Sequence, residues 1–239
     1  MAGAFLVAGL VKGIVGLGMP TVSLALMAAV IDLKSAIVLV LVPTLVANVW
    51  QSLVGGRLRL ILARHWPLLA LASFGIWVGV GLLAESDARL YSGLLGLLLM
   101  AYAGFSLGVR DVPSPGRHEV WLGPLIGGLS GLAAGMTGSF AVPGVPYFQS
   151  LALKRDELIQ TLGVTFTVAA VSLALALKRN DLIEPAALGL SAAALVPTFA
   201  GLALGQAARR RLSEQSFRQV FFAALGLLGL YLAVKGLLF

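Results

Sequence analysis

GLVKGIVGLGMPTVSL, residues 9–24, is apolar apart from Lys12, Thr21 and Ser23, yet it holds four glycines and a proline. It lies within an apolar run, 3–31, that would extend roughly 43 Å as one α-helix rising about 1.5 Å per residue. A bilayer's hydrocarbon core is about 30 Å thick and needs about 20 helical residues. Proline removes a backbone donor and collides with the preceding turn, and here Gly16, Gly18 and Pro20 stand together. The stretch reads as a membrane segment broken along its length, either as two half-helices or as a helix plus a re-entrant piece.

The rest of the chain supports the membrane reading. Of its 239 residues 59% are hydrophobic and 11% charged, with mean hydropathy +0.98, against about 25% charged residues in a soluble domain. The apolar runs are continuous rather than alternating, which favours helices over a barrel. A net charge of +7 would hint at nucleic acid in a soluble protein. Here the basic residues cluster between apolar runs, as in RLRLILARH (57–65) and RRRLSEQSFR (209–218), where they anchor the chain on anionic headgroups. No nucleic-acid partner is expected. There is no cysteine, so disulfides and thiolate chemistry are excluded. MAGAFLVAGLVK lacks the basic start and polar cleavage region of a secretory signal and reads as the beginning of the first membrane segment.

Eight apolar segments are predicted: 3–31, 35–55, 66–84, 90–108, 121–151, 158–177, 182–204 and 219–238. The fold expected is an all-α polytopic membrane protein whose first and fifth segments are broken. GLVKGIVG (9–16) aligns with GLAAGMTG (131–138), placing Gly9, Gly13 and Gly16 on Gly131, Gly135 and Gly138. A break, a polar turn and another apolar segment follow in both. The chain thus reads as two related four-segment halves, 1–108 and 121–239, joined by a linker at 109–120. Gly/Pro-interrupted segments at matching places in two halves point to a transporter's substrate site. Counting the basic residues of eight spans gives seven on one side and eight on the other, a tie under the positive-inside rule.

Chemistry-bearing residues are few. His65 and His118 lie in polar connections without matched carboxylates; His65, beside Arg64 and Trp66, reads as an interfacial belt residue. No enzyme, metal or cofactor is implied. Membrane-embedded polar groups are better signals, because each needs a partner there. Asn48 and Gln51 share one helical face and are read as cavity-lining. Thr161, Thr165 and Ser172 populate the sixth segment, and Thr137, Ser139 and Gln149 flank or follow the second break. At each break the restarted helix would present free N–H groups and the positive end of its dipole, with Pro20 and Pro143 in its first turn. The predicted anion site therefore comprises Lys12, Gly16, Gly18, Pro20, Asn48, Gln51, Thr137, Gly138, Ser139 and Pro143. Lys12 either complements that site or snorkels to the headgroups; Ala134 stands at the aligned place in the second half.

GLVKGIVGLGMPTVSLAL and GLSGLAAGMTGSFAVPGVPYFQSLAL together resemble the sulfite exporter TauE/SafE family of membrane permeases, along essentially the whole chain. In the first motif Gly16 and Gly18 fill two glycine places, Met19 stands where a third is usual, and Pro20 arrives early. In the second, Gly135 and Gly138 match, Ser139 and Phe140 replace further glycines, and Pro143 keeps the proline place. The resemblance implies a permease that exports sulfite, a sulfonate or a related organic anion. The expectation is a secondary transporter in the cell inner membrane, since no G-x-x-x-x-G-K-[ST] stretch for ATP is present. Its partners are the small anion and the lipid bilayer, with homo-oligomerisation open. A non-transporting membrane scaffold or assembly subunit is the alternative.

Overall fold

The computed structural model describes residues 1–15, 18–109, 112–209 and 214–238. All regular structure among them is helical. The order is α1 (Ala2–Val15), α2 (Met19–Val30), α3 (Leu33–Leu53), α4 (Leu58–Glu85), α5 (Ala88–Gly108), a 3₁₀ turn (Gly116–His118), α6 (Glu119–Thr137), α7 (Gly144–Ser150), α8 (Arg155–Arg179), α9 (Pro185–Ala193), α10 (Leu195–Arg209) and α11 (Glu214–Leu238).

Seven helical stretches are long and apolar enough to cross a membrane, rather than the eight expected. The difference lies in the first segment. It supplies two helices of 14 and 12 residues, each short of the about 20 that a crossing needs. In the fifth segment α6 is long enough, whereas α7 has seven residues. The third segment begins earlier than composition suggested, because RLRLILARH is already helical and its arginines point outward or pair.

The chain divides into two compact units, one of Met1–Pro43, Asp87–Arg110 and Ile183–Phe239, the other of Thr44–Ser86 and Asp111–Leu182. Each takes segments from both sides of the 109–120 linker, so a compact unit and a half of the sequence are different divisions.

In the first unit α1 lies along α10. A side chain on Gly9 would collide with the Thr198 carbonyl, and one on Gly13 with that of Leu202; Gly201 and Gly205 in turn meet the carbonyls of Leu6 and Leu10. Close backbone approach through small residues is how helices associate where lipid removes the hydrophobic drive. α5 and α11 run antiparallel, with Gly93 and Gly96 against Gly236 and Gly229, and the Arg218 guanidinium donates to the Ser106 carbonyl (3.2 Å). α2 runs with α11: Gly18 faces Phe221 at one end, and Lys235 Nζ donates to the Ala29 carbonyl (3.0 Å) at the other. Within α3, Pro43 has no N–H for the Leu39 carbonyl. The Ser191 hydroxyl donates to that oxygen instead, at 2.8 Å.

In the second unit α6 lies along α4. Gly131 and Gly135 meet the carbonyls of Ala72 and Ile76, while Gly75 and Gly79 meet those of Gly128 and Leu132. α8 runs parallel to α4, tied by Arg57–Glu157 (3.2 Å) near one end and by Ser172 Oγ donating to the Ser73 carbonyl (3.4 Å) further along. α7 doubles back along α6. Gly144 sits opposite Ser130, and Tyr147 opposite Gly123, so the residue numbers of the two helices run in opposite senses.

Candidate functional site

Each broken segment turns on a glycine. Gly18, with φ +90°, precedes α2, whose second residue is Pro20 as expected. Gly138, with φ +78°, closes α6 and donates its N–H to the Ala134 carbonyl at 2.7 Å. A side chain is strained at such angles. Gly16 lies outside the described residues.

The second break departs from expectation in one respect. Pro143 stands just before α7 rather than within it, and Pro146 occupies the first turn. Val145 and Tyr147 already donate their N–H groups to the carbonyls of Ala141 and Pro143, and Pro146 has none. A seven-residue helix with its amides so used is a poor anion cradle, so side chains must supply donors here.

Those side chains are placed as follows. The Thr137 hydroxyl donates to the Ala133 carbonyl (2.7 Å) and accepts from Ser139 N (3.3 Å); Ser139 Oγ accepts from Ala141 N (3.4 Å). Both are buried, and both shape the turn. Asn48 is buried. Gln51 is half-buried and donates its amide to the Ile159 carbonyl of α8 at 2.7 Å. Lys12 falls in the last turn of α1 and is half-buried, where a cation suits the negative end of the dipole. Lys12, Gly18 and Pro20 belong to the first unit; Asn48, Gln51, Thr137, Gly138, Ser139 and Pro143 belong to the second.

Against this geometry, the model of the family described as sulfite exporter TauE/SafE matches residues 1–232. The chain belongs to that family. It is a multi-pass membrane protein and a secondary transporter of a small anion, which sets aside enzyme and scaffold readings. No curated protein and no solved structure matches it.

Sequence reasoning missed several residues of this TauE/SafE transporter. Gln160, buried on α8, returns the Gln51 bond: its amide donates to the Ser52 carbonyl (2.9 Å), and its Oε1 accepts from Arg57 N (3.2 Å). Gly163 packs against Gln51 and Ser52, and Gly55 against the Gln160 amide. The end of α3 and the start of α8 are thus clamped by two reciprocal amides. His65 is buried inside α4, edge-on to Phe148 at 5.7 Å, and is no belt residue. Among the described residues, the hydroxyls of Thr44, Ser130, Tyr147 and Thr161 are buried with no hydrogen-bond partner, and all four belong to the second unit. An unpaired polar group buried in lipid or protein costs free energy. Polarity inside an apolar run was the available signal; that α7 folds back to collect it is a tertiary fact.

Proposed function

We propose that the transported anion is sulfite, a sulfonate or a related small organic anion, that the protein exports it, and that the anion passes the polar hairpin of α6 and α7. The observation that carries this reading is the fold-back of α7 along α6, which buries two unpartnered hydroxyls against the hairpin, Ser130 where the turn rejoins α7 at Gly144 and Tyr147 toward the start of α6 at Gly123. Oxyanions need such donors once they leave water. Asn48 and Gln51 are proposed to support this route within the second unit; Lys12, Gly16, Gly18 and Pro20, on the other broken segment, are proposed as anion-binding residues in their own right.

The two-repeat reading draws support from the glycine packing. Gly9 on Thr198 corresponds to Gly131 on Ala72, and Gly13 on Leu202 to Gly135 on Ile76. The reciprocal pairs, Gly201 on Leu6 and Gly205 on Leu10, correspond to Gly75 on Gly128 and Gly79 on Leu132. One helix of each pair is offset by 122 residues and the other by 126 throughout.

Fold-back also changes the charge count. If α2 and α7 return toward the side from which α1 and α6 set out, chain order gives one membrane face Lys34, Arg89, Lys178, Arg179 and Lys235. The other face receives Arg57, Arg59, Arg64, Arg110, Arg117, Lys154, Arg155, Arg209, Arg210, Arg211 and Arg218. Eleven against five replaces the tie and makes the arginine-rich connections cytoplasmic, in an inner membrane. The parallel pairing of α2 with α11 and the antiparallel pairing of α5 with α11 agree with this order. Homo-oligomerisation is compatible with it.

The test is flux of labelled sulfite, taurine-like sulfonates and small carboxylates from everted vesicles and proteoliposomes. Saturable sulfite or sulfonate flux is expected; flat flux across the panel overturns the substrate assignment. Because the chain lacks cysteine, S114C and K178C report orientation cleanly. An impermeant maleimide applied to spheroplasts should label K178C and spare S114C, and the reverse pattern would invert the topology.

A further inference from the structure

Arg64 and Glu119 sit at the mouth of a cavity of about 270 Å³ in the second unit, lined also by His65, Leu68, Gly123 and Tyr147. Arg64 donates from Nε and Nη2 to the two carboxylate oxygens of Glu119, at 2.7 and 2.8 Å. The Arg64 side chain is still 43% exposed, so the pair lies at a solvent-facing mouth. Deeper in, Tyr147 and His65 are 5% and 4% exposed. The Tyr147 hydroxyl has no partner among the described residues. It occupies space that only a glycine at 123 leaves open, since a Cβ there would stand 2.8 Å from the oxygen.

The arrangement is a planar cationic fork holding two carboxylate oxygens, backed by a buried hydroxyl donor without an acceptor. Such a fork is at once a tie between α4 and α6 and a ready-made receptor for a second oxyanion, because solvent reaches it. We propose that the cavity is a docking site for the transported oxyanion, that Arg64 is its principal ligand and Tyr147 its second, and that Glu119 is a tethered competitor. The Glu119 carboxylate presents to the fork the same pair of oxygens that a sulfite or sulfonate group presents. An arriving anion displaces it, gains the Tyr147 O–H, and leaves Glu119 to water. In the topology proposed above this mouth faces the cytoplasm, where an exporter receives its cargo. The inference rests on that transport reading and adds the residues that receive the anion. A phosphate headgroup of an anionic lipid shares this chemistry.

The test is sulfite binding to the full-length protein in phosphatidylcholine nanodiscs by calorimetry, with sulfite flux measured in parallel. Loss of a competing charge-assisted pair should tighten sulfite binding by about tenfold in E119Q, and R64Q should weaken it by at least about tenfold. R64K should fall between, because an ammonium does not fork. Y147F should weaken binding about fivefold with unchanged thermal stability. If the pair is only a tie between helices, E119Q and R64Q both lose thermal stability and E119Q keeps wild-type affinity; that result overturns the proposal. If E119Q instead retains more phosphatidylglycerol through purification without binding sulfite more tightly, the ligand is a lipid headgroup and the cargo site is overturned. Normal flux with unaltered affinity in all four variants removes the docking site and leaves transport standing, whereas absent wild-type flux strikes at transport itself.

Discussion

The two glycine-rich segments share a packing plan and differ in what they bury. α1 and α6 present glycines at matching positions to the carbonyls of a parallel neighbour. Yet the second hairpin carries Ser130, Thr137, Ser139, Tyr147 and Ser150, where residues 122 earlier are Ala8, Val15, Leu17, Ala25 and Ala28. The first hairpin carries Lys12, Thr21 and Ser23 where the second has Ala134, Pro143 and Val145. The comparison separates scaffold from lining. Backbone contact fixes where a hairpin goes and tolerates almost no side chain, whereas the lining can drift from hydroxyl to methyl without moving a helix. The polar hairpin is accordingly the better candidate for contact with an anion.

The largest effects should come from the shared scaffold. G131V and G9V each force a side chain into a backbone carbonyl, beyond the about 1–3 kcal/mol of ordinary overpacking. Both should abolish folded protein in detergent by size-exclusion profile. G128A, which meets only ordinary contact at 3.9 Å from Leu71, and G81A, which meets nothing, should express normally. If G9V is tolerated while G131V is not, the two packings are not equivalent.

Next comes the amide clamp that ties α3 to α8 in the second unit. Interhelical hydrogen bonds in membranes average about 0.6 kcal/mol and reach about 1.7. Q160L, which removes a donor and an acceptor, should therefore cost about 1–2 kcal/mol, and Q51L about half that. Thermal unfolding of the singles and the double should show coupling; strict additivity would mean the two amides act separately.

The linings are distinguished by function rather than stability. S139A and T137V should lower sulfite flux severalfold at near-normal protein level, since each removes a hydroxyl of the turn. K12Q should raise the apparent KM if its ammonium meets the anion. An effect on stability alone, of about 0.3–1 kcal/mol, would leave Lys12 as a helix-end charge. Equal loss from S139A and K12Q would erase the proposed asymmetry between the hairpins.

A last effect, read in its pH dependence, lies outside both. Asp32 Oδ1 accepts from Ser35 N at 2.9 Å at the start of α3. Burial pushes its carboxyl up, but hydrogen bonds from the Ser35 side chain and amide outweigh that and hold it below the ordinary value. With the folded value depressed, the stabilisation is present above the unfolded pKa near 4 and is lost as pH falls through the folded one. D32A should cost about 1 kcal/mol at neutral pH, and the gap from wild type should shrink below pH 4. A gap that stays constant with pH would mean that the carboxylate is not the cap.

Class, approximate spans and the places of interruption were legible in the sequence. Hydropathy and Gly/Pro content are local properties, read within about 20 residues. Gly18, Pro20 and Gly138 were found this way, and so was the polar character of Thr137, Ser139, Asn48 and Gln51. His65 was misread because Arg64 and Trp66 make its neighbourhood resemble an interface, while its burial depends on Phe148, 83 residues away. Gln160 and Glu119 were passed over for the same reason: each looks like a loop-edge polar residue until its partner, Ser52 or Arg64, is brought alongside.

By itself the sequence determined that this chain lives in a bilayer as helices, and that two of its long apolar segments are interrupted. Too few charges and too many glycines beside prolines leave no other solution. Only the tertiary structure decided that α7 turns back on α6, which carbonyl each glycine meets, and which hydroxyls are left without partners. Those outcomes depend on contacts between residues far apart in the chain, and a glycine or serine in an apolar run is compatible with many neighbours until one helix is laid against another.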